Sequence, residues 1–401
     1  MDLLKIFREE KRATANGPDA AVWGNLSVRT ASSGFNVTDE VALRNSVAFA
    51  CIRVLSETLG SLPLKLYKRV KDGKKPATDH ELYSVLHDAP NSFMTSFEFR
   101  ETMSAHLNLR GNFYGLKMFN GAGSLAEILP LDPSKISVKV KGGKLSYEYQ
   151  DVDGKTVYTR EEIWHVKLIS TDGITGLSPV GQAREAIGLS SALEKHGSLL
   201  FKNNARPGGV LTMLKSLKED AVERLTKRWQ AAHTGENTWK VAVLEEGMDY
   251  KPIGFSNHDS QFLESRNFQI SDIARMFRVP AILIGHSDGA ATYSSVEQQF
   301  LSFVTHTIRP WVIRIEQSIN QNLLSEKDRK KYFAEFPLDA LLRGDMLSRF
   351  QAYAIARTNM WMSANEIRAK ENMDPIPEGD KFENPNTTAP SKGSDNDKPK
   401  T

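Results

Sequence analysis

The chain has almost no sulfhydryl chemistry. Cys51 is the only cysteine in 401 residues, so no internal disulfide can form, which fits a reducing compartment. It lies in the apolar run Val47-Ala48-Phe49-Ala50-Cys51-Ile52, where a thiol acts as a small core residue, not a nucleophile. Long hydrophobic runs are also missing. Val279-Pro280-Ala281-Ile282-Leu283-Ile284 is far shorter than the roughly 20 apolar residues that cross a bilayer. From Met1 to Arg12, charged residues interrupt Leu3, Leu4, Ile6 and Phe7, so no signal-peptide core is present. A soluble, cytoplasmic chain without a membrane partner is expected. Charge of one sign is nearly absent as well. The 52 Lys/Arg and 49 Asp/Glu leave a net +3, far from the basic excess of a protein that coats nucleic acid. Any DNA contact is therefore expected to be local, or to avoid tight binding altogether.

Catalytic motifs are absent too. Gly154-Lys155-Thr156 ends like a phosphate-binding loop, but the first glycine of such a loop would fall on Tyr149, so the segment reads as a hairpin turn. Gly176-Leu177-Ser178-Pro179-Val180 lacks the last glycine of a nucleophile elbow, and Ser178 reads as a helix cap. The nine histidines include no helical ligand pair with a supporting acid, and one cysteine builds no zinc cluster. His165, between Trp164 and Val166, reads as a satisfied structural histidine. Arg343-Gly344-Asp345 reads as a turn between helices. No catalytic residue, metal or cofactor is expected.

What the sequence does have is an ordered series of elements. Residues 13–36 show little periodicity and read as a mobile arm. Apolar residues at helical spacing from Ala42 to Leu59 predict a helix from residue 39, stopped by Gly60. A strand over 62–67, a turn at 71–74 and a short helix from His80 to Leu86 follow. Thr95 and Glu98 form a capping box for a helix to Leu109. Residues 111–168 read as strands punctuated by turns at Gly142-Gly143 and Asp153-Gly154. Ser178-Pro179 opens a long helix to Asn203. Strands at 210–214, 241–244 and 250–253 flank a helix over 218–232, and a helix over 260–277 follows. A helix from Tyr293 to Leu324 should kink at Pro310. Helices at 340–357 and 363–370 precede a polar tail from Glu378, which is too polar to bury a core.

Several blocks in this series carry a family signal. They include Ala42-Leu43-Arg44-Asn45-Ser46-Val47, His80-Glu81-Leu82 with Pro90-Asn91, and Thr95 with Glu98, Phe99 and Arg100. Gly111-Asn112-Phe113-Tyr114, Gly176-Leu177-Ser178-Pro179 and Phe201-Lys202-Asn203-Asn204 with Pro207-Gly208-Gly209 come next. Later blocks are Ile273-Ala274-Arg275-Met276-Phe277 with Val279-Pro280, Thr292-Tyr293 with Glu297-Gln298, Leu341-Leu342-Arg343-Gly344-Asp345, and Asn365-Glu366-Ile367-Arg368. In order and spacing the chain resembles the HK97-type phage portal family over residues 39–380. Arg278 departs from it, since the family often has glycine there.

The resemblance implies an α+β portal fold that assembles as a ring of about twelve copies. Its parts would be an N-terminal arm (1–38), a mixed α/β wing (39–178 and 293–339), stem helices (179–204 and 258–278), a small α/β clip (205–257), a tunnel loop (279–292), a helical crown (340–377) and a disordered tail (378–401). Implied partners are duplex DNA passing without sequence specificity, the large terminase, the major capsid or scaffold protein, and a head-tail adaptor. The resemblance places His286, Ser287, Asp288, Gly289 and Thr292 in the tunnel loop. Trp239, after a turn at 235–238, is the candidate docking anchor of the clip, with Trp229 the second candidate, although on an amphipathic helix it also suits the core. The alternatives are a DNA-processing enzyme of packaging and a vertex or connector protein without a channel.

Overall fold

A computed structural model describes residues 30–386, apart from 72, 153, 203–208, 213–218, 234–248, 253–257, 287–292, 339–340, 342–345 and 372. The chain divides into one unit up to Pro337 and another from Leu338. The first unit begins with α1 (Asp39–Arg44), α2 (Ser46–Ser61), β1 (Lys65–Val70), β2 (Gly73–Pro76), α3 (Glu81–His87) and α4 (Ser96–Arg110). A strand-rich stretch follows: β3 (Asn112–Phe119), β4 (Leu125–Leu131), β5 (Ile136–Lys141), β6 (Lys144–Asp151), β7 (Gly154–Thr159) and β8 (Ile163–Lys167). Next come α5 (Pro179–Gln182), α6 (Arg184–Lys202), β9 (Gly209–Thr212), α7 (Glu219–His233), β10 (Asp249–Pro252) and α8 (His258–Phe277). The unit closes with α9 (Tyr293–Phe303), α10 (Arg309–Asn322), α11 (Glu326–Arg329) and β11 (Tyr332–Glu335), and the second unit holds α12 (Met346–Thr358) and α13 (Ala364–Lys370).

The helix expected from residue 39 is split at Asn45, whose ψ of 119° leaves the helical region. The Asn45 Oδ1 accepts from Ala48 N–H at 3.0 Å and its amide donates to Ser190 Oγ at 3.0 Å. Apolar periodicity runs across both sides of such a cap and cannot reveal the break. Gly60 does not stop α2 either. The Phe97 ring sits 3.0 Å from where a Gly60 Cβ would stand, and buried Arg100 donates Nε and Nη2 to the Gly60 carbonyl at 3.3 and 2.9 Å. The glycine lets α4 close onto α2. Thr95 and Glu98 form the expected capping box, with backbone bonds of 3.2 and 2.7 Å.

Residues 30–37, expected within the arm, are packed. Ala31 N–H bonds Phe35 O at 2.7 Å, and Ala31 and Val37 are buried. A Cβ at Gly188 would strike Ala31 Cβ at 2.5 Å, so that glycine makes the seat. Low periodicity here marked a missing helix, not missing packing.

Among the described residues all strand pairs are antiparallel. β3 lies between β4 and β8, β6 between β5 and β7, β1 between β11 and β2, and β9 pairs with β10. The turn at Gly142-Gly143 has both φ values positive, 57° and 78°, as the expected two-residue hairpin requires. Phe99, Phe113 and Trp164 form the aromatic centre, with Phe113 5.5 Å from Phe99 and 5.7 Å from Trp164 between ring centroids. Trp164 Nε1 donates to Ser318 Oγ at 2.9 Å, tying α10 to β8. Where a kink at Pro310 is expected, the helix passes through a π-helical turn, Val304–Ile308, between α9 and α10. Such a turn widens the ladder where proline removes a donor and crowds the preceding carbonyl.

In the second unit, Ser363 and Glu366 form a capping box on α13. Arg349 grips Glu371 with two bonds, 2.7 and 3.0 Å. The tail expected from Glu378 starts too early. Asn365 N–H bonds Gly379 O at 2.9 Å, its side chain donates to Asp380 Oδ1 at 3.0 Å, and Arg357 Nη1 donates to Lys381 O at 2.7 Å. Polar residues order here through hydrogen bonds, which a test for buried apolar surface overlooks.

Candidate functional site

Two of the sequence blocks, 111–114 and 176–179, form one joint. Gly111 ends α4 with φ 72°. A Cβ on it would lie 2.1 Å from Leu177 O, and a Cβ on Gly176 would lie 2.1 Å from Gly111 O. Two glycines thus press two backbone segments together, closer than any side chain allows. Asn112 sews them: its Oδ1 accepts from Gly176 N–H at 2.7 Å, and its Nδ2 donates to Gly176 O at 2.9 Å and Arg110 O at 3.0 Å. The Ser178 hydroxyl donates to Leu109 O at 2.5 Å and accepts from Gly181 N–H at 2.9 Å. The expected cap is present, but the single long helix expected from it is broken at Ala183, where ψ is 5°, so α5 and then α6 leave from this joint.

His165 lies against the same joint. Its Nε2 is 3.0 Å from Asn112 Oδ1 and its Nδ1 is 3.4 Å from the Tyr147 hydroxyl. Backbone partners fix the Asn112 amide, so its Oδ1 is an acceptor and Nε2 carries the proton. The Tyr114 ring stacks on the imidazole with centroids 4.5 Å apart. Below it, Asp172 Oδ1 accepts from Ile174 N–H and Thr175 N–H at 2.7 and 2.9 Å. Burial works against that charge, yet these amides and the Ser170 and Thr175 hydroxyls hold its carboxyl down at about 2.

Burial, with some repulsion from Lys167 and against the pull of Asp172, lowers His165 to about 3. The unfolded chain takes up this proton near pH 6.5 and the folded chain does not, so stability falls as pH drops through the window from 6.5 to about 3. At pH 5 the cost is at most about 2 kcal/mol. Thermal melts of the wild type and His165→Gln from pH 7 to pH 5 test this. The wild type should lose more stability than the variant, and parallel losses would remove His165 as the source.

The α6 and α8 helices pack on each other, and α2 packs on α8. An open, shallow groove between α6 and α8 is lined by Leu189, Leu193, Glu264, Ser265, Phe268 and Gln269. Leu189 is 44% and Phe268 61% exposed. The α8 helix ends in a Schellman turn: Val279 N–H bonds Ala274 O and Arg278 N–H bonds Arg275 O, each at 3.0 Å. Arg278 takes the left-handed position with φ 57°, where glycine is strain-free. That explains physically why Arg278 is a departure. Thr307 Oγ1 donates to Arg278 O at 2.8 Å, tying this turn to the π-helical turn.

Of the residues expected in the tunnel loop, His286 is described: it is half-buried, and its N–H bonds Ala281 O at 3.0 Å. Ser287, Asp288, Gly289 and Thr292 lie outside the described residues. Trp229 is on α7 with its side chain outside the description, and Trp239 and the strand expected at 241–244 lie outside it too. Among the described residues no cluster of His, Cys, Asp or Glu could hold a metal, and no helix is long and apolar enough to cross a membrane. The joint was not foreseen as a unit, although its glycines and Asn112 stood in the quoted blocks.

The family described as phage portal protein matches residues 46–372. The chain belongs to the phage portal protein family. Its role is that of a portal-vertex subunit. It is 33% identical to the portal protein of Enterobacteria phage HK97, over 86% of this chain and 82% of that one. It is also 33% identical to a probable portal protein of Streptomyces phage phiC31, over 93% and 86%. Among solved structures, a chain in the virion of a native gene transfer agent particle superposes with TM-score 0.60 at 23% identity, covering 93% of this chain and 98% of that one. An HK97-family phage portal protein from Corynebacterium diphtheriae gives TM-score 0.58 at 18% identity, covering 76% and 98%. The mixed α and β architecture is thus a portal fold.

Proposed function

We propose that this portal subunit closes into a ring through which duplex DNA enters and leaves the capsid, and that the ring resides in the virion. The portal match along most of the chain carries this reading. A similar fold occurs in a gene transfer agent neck computed with C12 symmetry, with TM-score 0.59 at 24% identity, which supports twelve copies. Within the ring, α6 and α8 act as the stem, β9, β10 and α7 belong to the clip, and residues 279–292 form the tunnel loop. The open groove between α6 and α8 receives the neighbouring copy in a head-to-tail contact, the kind that closes into a ring when its rotation allows. The clip, with Trp239 and Trp229 as anchors, docks the large terminase and later the head-tail adaptor, while the wing meets the major capsid or scaffold protein. Native mass measurement tests the core of the proposal. A closed cyclic oligomer is expected, and a uniform monomer or dimer at high concentration overturns it.

A further inference from the structure

The sheet β11–β1–β2 concentrates a charge that the whole-chain composition hides. Residues 65–76 and 326–335 together hold ten Lys/Arg and four Asp/Glu, a local excess of six, whereas the full chain has 52 and 49. Everything outside these two segments is therefore net acidic by three. Residues 65–76 supply five of the local excess, with six Lys/Arg and one Asp, and residues 326–335 add one. Lys65 lies opposite Glu335 and Lys68 opposite Tyr332, and Arg69 N–H bonds Lys331 O at 2.7 Å, which sets the turn that leads into β11 beside the hairpin.

The register puts like charges face to face. Lys68 is opposite Lys75, and Arg69 is opposite Lys74. Directly opposed like charges destabilise a sheet, so this arrangement costs stability unless an anion arrives. Lysine on an edge strand guards against aggregation, which accounts for Lys74 and Lys75 on β2. It does not account for Lys68 and Arg69, because β1 is the central strand. Among the described residues, Lys74 pairs with Glu335, while Lys68, Lys71, Lys75, Lys330 and Lys331 are exposed and have no carboxylate partner. On one face the stacked rings of Tyr67 and Phe333, 5.9 Å apart, lie under Lys74 and Arg69, with cation-to-centroid distances of 4.7 and 4.5 Å. These contacts hold two cations over the sheet surface.

We propose that this sheet is a sequence-independent contact for the phosphate backbone of duplex DNA, separate from the loop at 286–292. The cations gather at the hairpin end of the sheet: Lys68 and Lys75 share one face, Arg69 and Lys74 the other, Lys71 sits in the turn, and Lys330 and Lys331 precede β11. A duplex carries one charge per roughly 1.7 Å of axis on two backbones, a density that complements such a cluster. The proposal depends on this sheet alone and not on ring closure.

The test is fluorescence anisotropy of a labelled duplex of arbitrary sequence with the full chain, titrated at several salt concentrations, with oligomeric state followed separately. Changing Lys68, Lys71, Lys75 and Lys330 to Gln should weaken binding about ten- to a hundredfold at low salt and flatten the salt slope by about 3 to 4. The same four positions changed to Arg should bind like the wild type, which guards against misfolding as the cause. No wild-type binding at low salt overturns the proposal. So does an equal loss when Lys135, Lys144, Lys251 and Lys381 are changed instead, because the attraction would then be diffuse. Tighter binding to polyglutamate than to the duplex, lost in the Gln variant, would assign the surface to an acidic protein and also overturn it.

Discussion

Gly111→Ala should destabilise the first unit by about 3 kcal/mol or more, among the larger effects a single methyl group can have. Part of the cost is the backbone: alanine at φ 72° pays roughly 1 to 2 kcal/mol for the left-handed conformation. The rest is packing. The new Cβ would stand 2.1 Å from Leu177 O, so the segment 176–178 must move away. That movement strains both Asn112–Gly176 hydrogen bonds, and each partly buried bond lost leaves polar atoms unmatched at about 1 to 3 kcal/mol. Gly123→Ala isolates the backbone contribution, because Gly123 has φ 80° and nothing within 4 Å of its Cβ position. In urea titrations Gly123→Ala should lose about 1 to 2 kcal/mol, with Gly111→Ala well below it. Equal losses would show that the close approach at the joint adds nothing. Because α5 and α6 leave from this joint, the same variant should also loosen protection of the α6 amides in hydrogen exchange.

Phe268→Glu, combined with Leu189→Glu, should convert the assembled form to monomer while leaving the fold intact. Both side chains are exposed in the single chain, at 61% and 44%, so their replacement removes little intramolecular packing. In a head-to-tail ring the loss recurs at every interface. Covering a phenylalanine and a leucine is worth roughly 1.5 to 3 kcal/mol each, and two new carboxylates beside Glu264 add repulsion and desolvation cost. Analytical ultracentrifugation at micromolar concentration should show the shift, with circular dichroism unchanged. A ring of normal size from the double variant would place the neighbouring copy on another face.

Local rules made much of the fold legible. The Thr95–Glu98 capping box, the Ser178 cap, the glycine turn at 142–143 and the helix irregularity before Pro310 are decided within a few residues, so their sequence signals survive in the structure. Errors arose where a distant partner decides. Gly60 reads as a helix stop until Phe97 is seen against it. Residues 30–37 read as an arm until Gly188 provides their seat. Strand β11 has only four residues, and nothing local distinguishes them from a loop; β1 gives them their hydrogen-bond partners.

By itself the sequence determined the family, because portal blocks recur in order along most of the chain. It also determined that Cys51, the only cysteine, forms no internal disulfide, and it set the local start and stop signals of the helices. Tertiary structure decided how the two glycine blocks become one joint, since steric exclusion between Gly111 and Gly176 exists only when their backbones meet. It also decided which charges face each other. Residues 65–76 hold six Lys/Arg and one Asp in sequence, and strand pairing sets Lys68 opposite Lys75 and Arg69 opposite Lys74. Electrostatic potential depends on distance in space, and distance along the sequence does not supply it.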